Sequence, residues 1–167
     1  MSADDTLGQL FELAIALEKT ADMFYRGLAR RFKHVPEVTA FWTHYADEEA
    51  GHARWLDGLR SQLEPAKLRL PIDPVMIDSA TRQLQISPEK MLARITNLEE
   101  AYQAAVEAEN AETNTIFEFL VTDYSLSHRS RNFLRNQIHV HADRITSEFP
   151  ASFRDHASRL AVKVKES

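Results

Sequence analysis

Residues 38–59 read VTAFWTHYADEEAGHARWLDGL. Val38, Phe41, Tyr45, Glu49, His52, Leu56 and Leu59 recur at three- and four-residue spacing, which gathers them on one face of an α-helix. The two residues of that stripe that are neither aliphatic nor aromatic, Glu49 and His52, sit side by side at its middle. Glu-x-x-His puts both side chains on the same face, one turn apart. A helix that points an acid and an imidazole at its own core needs a fold that can use them.

Working outward, three other stretches repeat the pattern. The first helix is expected from about Asp5 to Lys33, with Thr6 or Asp5 as N-cap, and its stripe of Phe11, Ala14, Ala21, Tyr25 and Leu28 is broken by Glu18. The helix of the opening stretch runs from near Pro36 to near Gln62. A third helix starts at Ser87-Pro88-Glu89, where Ser suits the N-cap and Pro the first turn, and continues to about Thr122. Its stripe carries Tyr102, Glu109 and Glu112. A fourth helix follows the polar stretch 123–130 and reaches Phe149, with His141 on a stripe that includes Leu134, Ile138 and Ile145. The segment 64–87 holds three of the six prolines and no sustained period, so it reads as a long connection with room for a short helix.

Two short connections flanking one long one describe an all-α four-helix bundle with a crossover between helices 2 and 3. Residues 1–149 form this domain. Residues 150–167 form a tail in which Phe153, Ala157 and Leu160 could line a short amphipathic helix.

Composition narrows the chemistry. The chain has 167 residues, enough for one domain with a real core. Its 20 Lys and Arg against 25 Asp and Glu give no electrostatic case for nucleic acid or an anionic membrane. The absence of cysteine removes disulfides, iron–sulfur clusters, thiolate zinc sites and thiol nucleophiles. The first residues, MSADD, are acidic where a secretory leader would be basic, and no apolar run of about 18 residues spans a membrane. A cytoplasmic location is expected.

What remains is carboxylate, imidazole and phenol. A buried carboxylate without compensation costs several kcal/mol or takes up a proton. Four at one level of a bundle would also repel one another, and no Lys or Arg falls on the stripes there. Two divalent cations would cancel four carboxylates, with neutral imidazoles completing the coordination. The candidate metal ligands are therefore Glu18, Glu49, His52, Glu109, Glu112 and His141. Tyr25 and Tyr102 are either core aromatics or groups that hold those carboxylates. Glu48, Glu99, Glu100 and Glu107 fall off the stripes and read as a charged outer face. His139 points away from His141, while His34, His128 and His156 read as surface residues. Asp22 is open, and Asp143 has at most a weak claim to reach a ligand.

This set resembles the ferritin-like superfamily, and within it rubrerythrin-type di-iron proteins. Glu18 in ALEKTADMFY matches the first-helix ligand, and Glu49 with His52 in DEEAGHARWL the second-helix motif. Glu109 and Glu112 in VEAENAET match the paired glutamates of the third helix, and His141 in IHVHADRI the fourth-helix histidine. The resemblance implies iron, two per chain, with manganese a possible occupant. It implies an oxidoreductase that reduces peroxide or O2 or oxidises Fe(II), and a homodimer as the usual assembly.

Two departures stand out. Ile138 occupies the position where the fourth helix should offer a Glu, three residues before His141. Either Glu112 supplies the missing carboxylate, or one metal position is weakened and the site is mononuclear or asymmetric. A cysteine-held rubredoxin-like centre is also absent, so electrons would come from a separate donor. Non-catalytic iron binding or storage through the same residues is an alternative. So is a metal-free helical interaction protein whose site has decayed.

Overall fold

Thr6 opens the first helix by accepting a hydrogen bond from the Gln9 amide at 3.3 Å, one of the donors a helix start leaves unpaired. In the computed structural model, which describes residues 5–109, 113–125 and 127–150, α1 runs Leu7–Arg31 and α2 Pro36–Gln62. The turn between them is closed by Thr39, whose hydroxyl donates to the Phe32 carbonyl at 2.9 Å. The two helices form a long hairpin, as expected.

The long connection is more ordered than its lack of period suggests. It holds α3, Pro65–Leu68, and α4, Pro74–Leu84, with Asp73 capping α4 through the Val75 amide at 3.0 Å. Backbone hydrogen bonds from Leu7 to Leu70 (2.9 Å) and from Ile72 to Asp5 (3.0 Å) pin its start to the head of α1.

The third helix is not continuous. Pro88–Ala93 forms α5, with Ser87 accepting from the Lys90 amide, and Leu98–Glu109 forms α6. Between them Asn97 accepts from the Glu100 amide at 2.9 Å while Glu100 accepts from the Thr96 amide at 2.6 Å. Together these make a reciprocal capping arrangement that starts a new helix. The apolar period runs straight across this break, so periodicity hides what the Asn-x-x-Glu signature reveals. Thr113–Tyr124 is α7 and His128–Glu148 is α8, capped by Ser127. Glu112 and the tail with Phe153, Ala157, His156 and Leu160 lie outside the described residues. The described residues contain no strand, only an isolated bridge between Thr6 and Pro71. No helix among them is long and apolar enough to cross a membrane.

The core is split in two. One cluster gathers Leu10, Phe11, Leu17, Leu56, Phe117 and Leu134. The other gathers Phe24, Tyr25, Trp42, Tyr45, Ile145 and Phe149. Along every long helix the switch from one cluster to the other straddles a polar residue: Glu18 between Leu17 and Phe24, Glu49 between Ala46 and Ala53, and His141 between Leu134 and Ile145. Apolar burial supplies the stability on both sides, and between the clusters lies a layer of buried acids and imidazoles.

Candidate metal centre

Glu18, Glu49, His52, Glu109 and His141 are all buried, each less than a tenth exposed. They form two groups of three whose ligand atoms lie within 4.8 Å of one another: Glu18 with Glu49 and His52, and Glu49 with Glu109 and His141. Glu49 belongs to both, one oxygen to each. His52 Nδ1 is 3.1 Å from Glu49 Oε2 and 3.4 Å from Glu18 Oε2. His141 Nδ1 is 3.4 Å from Glu49 Oε1 and 2.8 Å from Glu109 Oε2. Each group thus has its own carboxylate, its own imidazole and one oxygen of a shared carboxylate.

The local reason is simple. Glu49 and His52 share a face of α2, α1 returns alongside it in the hairpin and brings Glu18, and α6 and α8 supply Glu109 and His141 from the other pair. Five of the six residues singled out in the sequence therefore meet in space. Ile138 lies one turn before His141 in α8 and Glu112 is outside the described residues, so the second group has three protein donors among those described.

The electrostatics show what the layer lacks. Burial by itself would lower the pKa of His52, but hydrogen bonding to Glu18 and Glu49 and their charges outweigh it and raise it to about 10. His141 is raised to about 10 in the same way, against burial, chiefly by Glu109 and Glu48. Burial and the charge of Glu18 push Glu49 up to about 7, opposed in part by His52. Protons on the imidazoles are the only positive charges touching Glu18, Glu49 and Glu109 among the described residues. A divalent cation would compensate the same carboxylates in place of those protons.

Glu48 is the residue the sequence reading misplaced. Assigned to a charged outer face, its side chain is only 22% exposed and sits behind the second group. Its Oε2 is 2.8 Å from His141 Nε2, and its Oε1 accepts from Arg144 Nη1 at 2.7 Å. Burial would raise its pKa, yet His141 and Arg144 hold it at about 2, so it stays ionised. An ionised Glu48 takes the Nε2–H of His141 and leaves Nδ1 facing Glu49 and Glu109, the tautomer a metal requires. Arg144 in turn donates through Nη2 to His44 at 2.7 Å and through Nε to Glu148 at 3.0 Å. The only hint in the sequence is His141-x-x-Arg144, a cation one turn from a candidate ligand. Which acid answers it is decided across α2 and α8. Glu48→Gln removes the charge but keeps the shape. It is expected to weaken metal binding at the second group by about 10–100-fold and to leave the first group unaffected, read by metal titration of the variant beside the unsubstituted chain.

Two tyrosines brace the layer. Tyr25, fully buried, donates its hydroxyl to Glu109. Burial and the charges of Glu109 and Glu49 drive its pKa well up, so it remains a fixed donor. Tyr45 donates to the His141 carbonyl at 3.0 Å and stacks on its ring, with centroids 4.5 Å apart. The sequence marks Tyr45 only as a member of the α2 stripe. Tyr102 packs against Phe149 in the core, at 5.2 Å between rings. Asp22 pairs with Arg26 at 2.7 Å rather than joining the site, and Asp143 is exposed, as are His34 and His128.

A family model described as rubrerythrin matches residues 9–135. That range takes in Glu18, Glu49, His52 and Glu109 and stops short of His141, which the packing of α8 brings to the site. No curated protein and no solved structure matches the chain.

Proposed function

Because the chain belongs to the rubrerythrin family, we propose that it is a di-iron oxidoreductase, reducing peroxide or O2 or oxidising Fe(II). Its metals would be held by Glu18, Glu49 and His52 and by Glu49, Glu109 and His141, with Glu112 as a further donor. The observation that carries this reading is the sharing of Glu49: one carboxylate with an oxygen in each group is the arrangement that holds two cations side by side. Oxygen donors with two imidazoles and no sulfur suit iron, or manganese. Two bound irons would together supply two electrons, one from each Fe(II) that passes to Fe(III).

The protein's own part is to bind and orient. The apolar clusters pack against the layer from both ends of the bundle. Tyr25 holds Glu109, and Glu48 and Tyr45 hold His141, so the donors are placed before any ion arrives. With no cysteine in the chain, electrons for turnover come from a separate donor. A homodimer in the cytoplasm is the form we propose.

The test is to load the metal-free chain anaerobically with Fe(II), count iron per chain, and add stoichiometric peroxide or O2. Two irons per chain oxidised faster than free Fe(II) is the expected result. Two irons oxidised no faster than free Fe(II) would sink the redox reading, and retention of many irons per chain would mark a storage protein instead.

A further inference from the structure

A cavity of about 480 Å³ lies on the α1 side of the metal layer, between α1, α6 and the returning crossover. Its inner end is formed by Glu18, Glu49 and Glu109, the three acids of the layer. Most of its wall surface is apolar, with Phe24 from α1, Ile86 from the end of the crossover, Met91 from α5, Ile95 between α5 and α6, and Ala104 from α6, and polar groups such as Gln83 and Gln103 lie among them. The volume falls within the range of small-molecule pockets, and well-packed cores do not leave gaps of this size. Ile86 lines it while 56% exposed, an apolar side chain left at the mouth without burial of its own.

The break in the third helix lies beside this space: Leu92 of α5 packs against Gly27 of α1, while Arg94 and Ile95, between α5 and α6, line the cavity. Small side chains at Ala21 and Ala104 are part of the lining.

We propose that this cavity binds an uncharged, largely apolar organic molecule with one end against the metal ligands. The walls select for apolar surface. Among the described residues, the lining outside the metal layer carries Glu100 and Glu107 against the guanidinium of Arg94, and the compensated acids of the layer add no positive charge, which disfavours an anionic amphiphile. That the occupant is a substrate rests on the di-iron reading; that it binds does not.

The experiment uses the full chain, both metal-free and metal-loaded, with the uncharged dye Nile red as probe. One dye per chain should bind and be displaced by 1-decanol but not by decanoate. Ala104→Trp fills the space, and Ile86→Glu puts a charge at an exposed position that folding does not need. Each should weaken dye binding by about tenfold or more while helical content and metal count stay unchanged. Dye binding indifferent to both substitutions would overturn the proposal, as would displacement by decanoate as readily as by decanol. Absence of dye binding to the full chain would overturn it too. Failure of the di-iron reading would show separately, as a chain that takes up no metal yet still binds the dye.

Discussion

Glu49→Ala is expected to abolish retention of both of the proposed metals, whereas Glu18→Ala and His141→Ala are each expected to abolish one. This asymmetry follows from the two oxygens of a single carboxylate facing different imidazoles, Oε2 toward His52 and Oε1 toward His141. Without Glu49 each group keeps two protein donors among the described residues, too few for a site that must compete with water. After anaerobic Fe(II) loading and desalting, the expected content falls from about two irons per chain to about none, against about one for either single-group variant. The Glu49→Ala chain should remain helical, because the substitution removes a carboxylate that burial and Glu18 already push up to about 7. If Glu49→Ala retained one iron, the two groups would be independent sites and the shared-carboxylate reading would fall.

Metal uptake is expected to displace protons and to reverse the chain's pH dependence. In the metal-free layer His52 and His141 have pKa values near 10, above the 6.5 of an unperturbed imidazole, so both are charged at pH 7. For a raised pKa, the associated stability is fully present below the unfolded value and is lost as pH climbs through the folded one. The metal-free chain should therefore weaken between about pH 6.5 and 10. Glu49, raised from 4.5 to about 7, adds a loss in the same direction between those values. A metal binds the neutral imidazole and the ionised carboxylate, so its apparent affinity rises with pH over the same interval. Loading at pH 7 should release about two protons or more per chain. Mn(II), which is stable in air, is a convenient probe. At about a hundred times its dissociation constant it should add about 2.7 kcal/mol per site, or a rise of about 5–10 °C in Tm for a chain of this size. The rise should be larger at pH 9 than at pH 6. A Tm insensitive to Mn(II) across this range would leave the layer as a proton-paired structural network.

Much of this was open to a reader of the sequence because it depends on local geometry. Helical spacing is a property of the chain itself, so Glu49 and His52 must share a face wherever the helix lies. An acid or imidazole at the middle of each apolar stripe marks a common depth without any coordinates. The hairpins and the crossover follow from where prolines and caps fall. The broken third helix was legible too, in Asn97-x-x-Glu100, but the uninterrupted apolar period masked it.

Glu48 was different. On α2 it sits one residue, and so about 100° of helix rotation, from Glu49, which on that helix alone reads as an outward face. Only the approach of α8 turns that face inward and supplies His141 and Arg144 as its partners. Tyr45 changes from core aromatic to support for His141 through the same approach. The all-α architecture and the buried Glu/His layer follow from periodicity and from the cost of burying charge, both of which are written in the residues alone. That Glu49 serves both groups, that Glu48 orients His141, and that a cavity lies beside them emerge only when the helices pack. Each of these depends on distances between helices that are far apart in the chain, and spacing along one helix carries no information about them.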